Sequence, residues 1–287
     1  MNGTRLKNAI VAMHLALAVA ASPAVHAAGV PVGEVPTPYL PSTQVAVEEM
    51  LRLADVRASD VIVDLGSGDG RIPITAATQF GARGFGVDID AKLVEEANEN
   101  ARKAGVADRV HFVQRDVFET DIREASVVTL YLLTGLVNRL KPKLMKELRP
   151  GTRIVAHDFG FKDWTPDRSA TISKNYYLYI VPAHVGGQWR LEATLADTLY
   201  SYDVDIQQDH QKIRGGARSG GGVGFLPLFE PHLEGDRIRF VLVDEGHAHH
   251  FEGRVRGSVM EGKLRTGIGR GQLERSWRAE RVLPARE

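Results

Sequence analysis

Asp64, Asp88 and Asp116 are the residues whose type and spacing first point to chemistry. Each closes or follows a short apolar run: Val61-Ile-Val before Asp64, Gly84-Phe-Gly-Val before Asp88, and Val110-His-Phe-Val-Gln-Arg before Asp116. Gly66, Gly68 and Gly70 come directly after the first, in Asp64-Leu-Gly-Ser-Gly-Asp-Gly-Arg71. Glycines so placed let a ligand lie against bare backbone, and a helix beginning near Arg71 turns its free N–H groups toward that ligand. Asp88 stands 24 positions after Asp64, where a carboxylate accepts hydrogen bonds from ribose hydroxyls. Asp116 is set to take an exocyclic amine of adenine. Singly, Asp88 also fits a helix cap and Asp116 a turn residue; three acidic strand ends in a row after a glycine loop fit a nucleoside-bearing cofactor.

The spacing is G-x-G-x-G, with Arg71 where the dinucleotide fingerprint needs a small residue, which moves the expected cofactor from NAD to S-adenosyl-L-methionine (SAM). With Gly86-Val-Asp-Ile-Asp90 and Gln114-Arg-Asp-Val-Phe118 at their usual separations, residues 37–183 resemble the class I SAM-dependent methyltransferases. Within that class, Thr37-Pro-Tyr-Leu-Pro-Ser42 together with the glycine loop is similar to bacterial relatives of the ATP synthase c-subunit and adenine nucleotide translocase lysine methyltransferases. The resemblance implies that Gly66, Gly68 and Gly70 face the methionine and sugar of SAM, Asp88 with Ile89 the ribose side, and Asp116 with Val117 the adenine. It also implies that Asp64, Asp69 and Tyr39 lie near the methionyl or methyl end.

The end of the fourth strand departs from a familiar pattern. Methyltransferases acting on DNA bases or glutamine carry Asn/Asp-Pro-Pro-Tyr there, whereas this chain has Thr129-Leu-Tyr-Leu-Leu133. Tyr131 is left as the polar aromatic near the transferred methyl, or else as a core aromatic. Methyl transfer asks mainly for in-line alignment, but a lysine nucleophile must shed its proton first. His157 and Asp158, at the fifth strand's end, are the candidates to take it; a strand-end cap explains them too.

The elements needed to position these groups follow from the patterning. Short apolar runs alternating with helical stretches predict an α/β fold, a Rossmann-like, largely parallel sheet with helices on both faces. Strands are expected at 61–66, 84–89, 109–115, 126–132 and 152–158, and helices at about 71–80, 91–104 (capped by Asp90) and 135–148 (containing Pro142). A further helix capped by Ser42, burying Val45, Val47, Met50, Leu51 and Leu53, is expected over one sheet edge. Tyr176 to Pro182 is expected to finish the sheet. Residues 186–287 hold 16 of the 29 glycines and alternate with period two, predicting a small antiparallel β meander or barrel with Trp189 and Trp277 in its core. Gly215 to Gly224 is expected as a mobile loop. His247, His249 and His250 with Asp244 and Glu245 read as a polar hairpin rather than a metal site, and no metal is assigned.

The expected organisation is therefore a segment 1–27, a linker 28–41, a methyltransferase domain 42–183 and a β-rich domain 184–287. In the first segment Arg5 and Lys7 precede the apolar run Ala9 to Ala21, and Val25-His-Ala27 offers small residues for cleavage. This is a signal-peptide pattern, and it predicts export to the periplasm or beyond. Thirty-six basic residues balance 36 acidic ones, so no overall field draws the chain to nucleic acid or a membrane surface, and none is expected as a partner. Without cysteine there is no disulfide, thiolate metal site or cysteine nucleophile. The expected partner is a protein or small amine that accepts a methyl group. The rivals are a SAM-type binding protein without turnover and, less favoured, an NAD(P) oxidoreductase.

Overall fold

The computed structural model describes residues 41–172, 174–195, 198–220, 224–267 and 273–282. Tyr39, the segment 1–27 and all of the linker except Pro41 lie outside them. Val61–Leu65 (β1), Val127–Leu130 (β4) and Arg153–His157 (β5) are almost wholly buried, as strands covered on both faces must be. With Arg83–Asp88 (β2), Val110–Gln114 (β3), Arg168–Thr171 (β6) and Asn175–Ile180 (β7) they form a seven-stranded sheet of order β3-β2-β1-β4-β5-β7-β6. The first five strands are parallel, and β7 runs antiparallel to β5. Strand order reverses between β1 and β4, the switch point where such sheets bind ligands.

Gln44–Leu53 (α1), Arg71–Phe80 (α2) and Ala91–Lys103 (α3) cover one face, and Thr134–Glu147 (α4) covers the other. Asp90 caps α3 as its sequence implies, its carboxylate accepting from Lys92 N. Three expectations need correcting here. Thr43, not Ser42, caps α1, accepting from Ala46 N at 3.2 Å, because Ser42 turns inward to a buried histidine. Val45 is exposed, and the buried stripe is Ala46, Val47, Met50 and Leu51. It packs with Val155 and Leu178, so α1 lies on the sheet's face rather than its edge. The unanticipated strand β6 forms because the tip after Thr171 folds β7 back along it.

Beyond Ile180 the chain enters a second sheet of nine antiparallel strands, Gly187–Leu195 (β8), Thr198–Asp209 (β9), Lys212–Ser219 (β10), Phe225–Pro227 (β11), Phe229–Glu234 (β12), Arg237–Asp244 (β13), His247–Arg256 (β14), Val259–Thr266 (β15) and Leu273–Arg281 (β16). Its order is β11-β10-β9-β8-β16-β15-β14-β13-β12, and β10 and β11 come close to β12 and β13, nearly closing a barrel. Trp189, Phe240, Phe251 and Trp277 fill the interior, with Trp277 edge-on to both phenylalanines. Gly215 and Gly216 belong to β10 rather than a mobile loop: a Cβ on Gly215 would meet Asp205 O at 1.9 Å, so glycine there permits close strand pairing. His249 is buried while His247 and His250 are exposed, and among the described residues no group of three or more His, Cys, Asp or Glu is placed to hold a metal.

The barrel is fixed at the sheet's amino-terminal end. Ala183 N donates to Gly235 O (2.8 Å), Gln211 Nε2 donates to Ile180 O (2.8 Å), and the Trp164 ring stacks on His210 at 4.9 Å. Ile180 pairs with Arg153, the first residue of β5, so these ties lie opposite the strand ends that carry the acidic residues. No helix among the described residues is long and apolar enough to cross a membrane.

Candidate active site

At the carboxyl end of β1 the chain turns sharply, with positive φ at Gly66 (84°), Gly68 (53°) and Gly70 (82°). The N–H groups of Gly66 and Ser67 both donate to Val87 O at 2.9 Å, clamping the loop to β2. Side chains are excluded on steric grounds as well: a Cβ on Gly70 would lie 2.6 Å from Phe112, and one on Gly66 would lie 2.7 Å from Leu132. Gly70 starts α2 without a side-chain cap, so the helix N-terminus faces the space above the loop.

Two carboxylates frame this cradle. Asp88 Oδ2 accepts from Gly68 N at 2.9 Å and Oδ1 accepts from Asp90 N at 3.0 Å. Each oxygen keeps a lone pair, and the pair of them is the acceptor set that two vicinal hydroxyls need. Asp64 is only 1% exposed; its Oδ1 accepts from Thr129 Oγ1 at 2.6 Å, while Oδ2 is buried with no hydrogen-bond partner. Burial, then the charges of Asp88 and Asp69, push its pKa up to about 7. A buried acceptor without a donor costs free energy that a cationic ligand group relieves, and the ammonium of a methionyl moiety is such a group. Ile89, 74% exposed beside Asp88, offers an apolar wall for a flat base. Asp116 Oδ1 accepts from Phe118 N at 2.8 Å, fixing the turn after β3, with Val117 half buried next to it.

Asp69 lies close enough to Asp64 for its charge to act there, and it also has a bracing role. Its carboxylate is paired with Arg71 at 2.5 Å, and its carbonyl accepts from Asn100 Nδ2, so it braces the loop against α2 and α3. Arg71 also donates to Ser42 O, and Ser42 Oγ is hydrogen-bonded to His157 Nδ1 at 3.0 Å. The start of α1 is thereby tied to the end of β5.

The second half of the site lies across the switch point. Tyr131, just past β4, stacks on His157 at 4.1 Å, and Tyr176 stacks on its other face at 5.1 Å. His157 is 3% exposed, its Nε2 has no partner, and burial lowers its pKa, which keeps the ring neutral. Asp158 adopts φ 64° and accepts from Lys174 Nζ at 2.7 Å. Tyr131, His157 and Asp158 are therefore neighbours at the ends of β4 and β5. Thr129, Ser42, Arg71, Lys174 and Tyr176 join the site without any signal in local sequence, except that Ser42 and Arg71 sit inside the two motifs noted above.

This doubly framed glycine cradle on a 3-2-1-4-5-7-6 sheet defines a class I SAM-dependent methyltransferase, with SAM as its cofactor. Comparison with known proteins agrees. The family model described as the ANTKMT methyltransferase domain matches residues 64–168. A protein-lysine N-methyltransferase of Saccharolobus islandicus is 43% identical over 153 residues, covering 51% of this chain and 95% of that protein. The mouse ATP synthase c-subunit lysine N-methyltransferase is 31% identical over 193 residues, 67% of each chain. A Salinibacter ruber RNA methyltransferase solved with S-adenosyl-L-homocysteine is 50% identical, with a TM-score of 0.50 over 51% of this chain and 96% of that one. The chain belongs to the lysine N-methyltransferase family of the Saccharolobus and mouse proteins.

Proposed function

We propose that the enzyme methylates the side-chain amine of a lysine presented by a protein substrate. The observation that carries this is the group Tyr131, His157, Tyr176 and Asp158 at the adjoining ends of β4, β5 and β7. It combines aromatic walls with a carboxylate, which suits a long alkyl stem ending in an ammonium, and it lacks the Asn/Asp-Pro-Pro-Tyr clamp of amide and base methylases. Bound SAM supplies an electrophilic methyl on its sulfonium sulfur. Gly66, Gly68, Gly70 and Asp88 would hold the cofactor, Asp64 would meet its ammonium, Asp116 and Val117 would border the adenine, and Ile89 would flank it. Asp158 would draw in the acceptor's ammonium, which would lose a proton to solvent or to the carboxylate; the freed nitrogen would then take the methyl as its bond to sulfur breaks, leaving S-adenosylhomocysteine. His157, buried in the stack, sets the position of Tyr131 and of the strand end.

The names of the relatives support lysine as acceptor, and one of them is an RNA methyltransferase. Incubation of the full chain with methyl-deuterated SAM and either poly-L-lysine or an RNA oligonucleotide tests the choice. Label on lysine Nε with release of S-adenosylhomocysteine is expected; label on RNA alone overturns the proposal.

We further propose that the mature protein works outside the cytosol, on the strength of Arg5, Lys7 and the run Ala9 to Ala21. N-terminal sequencing after cell fractionation tests it: an exported chain beginning near Ala28 is expected, and an intact cytosolic chain overturns it. The ties of the barrel to the sheet's opposite end favour anchoring or substrate delivery over a lid on the cofactor.

A further inference from the structure

Lys174 lies at the tip between β6 and β7, and nothing in its local sequence marks it. Yet β7 runs antiparallel beside β5, with Tyr176 opposite His157, which brings position 174 to the carboxyl end of the parallel strands. Its Nζ donates to Asp158 Oδ2 at 2.7 Å. Next to Asp158, the His157 ring carries Tyr131 stacked at 4.1 Å and Tyr176 at 5.1 Å. A lysine ammonium is thus already set among the carboxylate and aromatic groups assigned to an incoming lysine.

The pair is built unequally. Asp158 is 19% exposed and held by a backbone of positive φ, with its N–H donating to Asn175 O at 2.7 Å, whereas Lys174 is 52% exposed on a flexible stem. The carboxylate is a fixed feature of the site, and the ammonium is the exchangeable partner. Ion pairs with so exposed a member contribute little to stability, and replacing one primary ammonium by another leaves the number of charges and hydrogen bonds unchanged. The Lys174 link therefore presents a low barrier to an acceptor and a ready competitor for it.

We propose that Asp158, beside the Tyr131–His157 stack, forms a subsite for primary alkylammonium groups, and that Lys174 fills it as an internal substitute until the acceptor lysine displaces it. This rests on the acceptor class proposed above. Because only the fraction of protein with the subsite open can receive acceptor, Lys174 raises the apparent dissociation constant of any amine by the reciprocal of that fraction.

The test is n-butylammonium titrated into the full-length chain, followed by NMR shift changes, in the wild type and in Lys174→Gln, Asp158→Asn and the double variant. Lys174→Gln is expected to bind about threefold more tightly or better than wild type. The gain should vanish in the double variant, while SAM affinity by calorimetry stays unchanged in Lys174→Gln. Lys174→Met serves in place of Lys174→Gln if the latter fails to fold. Equal affinity in wild type and in the folded Lys174 variant overturns the proposal, as does a gain that survives Asp158→Asn. If the binding pattern holds but poly-L-lysine is never methylated, the subsite stands and the lysine-acceptor assignment fails.

Discussion

The backbone N–H of Gly68 donates to Asp88 Oδ2 across 2.9 Å, so the glycine turn after β1 and the acidic end of β2 are a single hydrogen-bonded unit before any ligand arrives. Asp88 thereby shapes the loop as well as offering acceptors to the proposed cofactor. Replacing it removes acceptors for Gly68 N and Asp90 N together with those for the ribose.

Asp88→Ala is accordingly expected to weaken SAM binding by about a hundredfold or more and to destabilise the protein by about 1–3 kcal/mol. Calorimetry with SAM and thermal unfolding without it separate the two effects. Unchanged SAM affinity in a folded variant contradicts the cofactor assignment.

Asp64 imposes a pH dependence of definite sign. Its carboxyl holds its proton up to about pH 7 when folded, against 3.8 ordinarily, so the folded state binds the proton more tightly. The stability it contributes is complete below pH 3.8 and is lost as pH rises toward 7. Asp64→Asn should then stabilise the unliganded protein at pH 8, by at most about 4 kcal/mol. It should have little effect at acid pH, as measured by urea unfolding. SAM affinity of the wild type should rise with pH up to about 7, because the ionised carboxylate is what receives the ligand's ammonium, and Asp64→Asn should abolish that rise.

His157 has the opposite sign. Burial holds its folded pKa below the ordinary 6.5, so as pH falls below that value the unfolded chain takes up the proton first and stability declines. His157→Phe keeps a stacking ring between Tyr131 and Tyr176 and should remove this acid-side loss. A denaturation series from about pH 7 to pH 5 checks it; an unaltered slope refutes the burial argument.

Ser42→Ala leaves His157 Nδ1 without its partner in a buried site where Nε2 is already unpaired. A loss of about 1–3 kcal/mol in stability is expected, with a larger fall in methyl transfer than in SAM affinity, since Ser42 supports the acceptor side. Equal losses in both would place Ser42 with the cofactor.

The Saccharolobus relative aligns 95% of its own length with 51% of this chain, and the barrel is tied to the end of the sheet away from the cradle. A chain ending after Val185 is therefore expected to bind SAM within about threefold of full length, although less stable for losing the Trp164–His210 stack. A folded truncation that binds no SAM shows that the barrel completes the site.

The cofactor half of the site was legible in sequence because it is made of local backbone chemistry. Gly66, Gly68 and Gly70 are required by positive φ, with steric closeness added at Gly66 and Gly70, Asp90 is required by a helix cap, and Asp88 and Asp116 stand at strand ends that apolar runs announce. Period-two alternation likewise identified the barrel and placed Trp189 and Trp277 inside it. The acceptor half was not legible, because it depends on which strands become neighbours. Ser42 reaches His157 across 115 positions, and Tyr176 and Lys174 meet the end of β5 only because β7 inserts antiparallel between β5 and β6. Hydrophobic periodicity tells a strand which face to bury, but it carries no information about its partner or direction. Pairing energy and side-chain packing between distant segments set those in the folded chain, and they decided that a lysine from the sheet's last hairpin sits at Asp158.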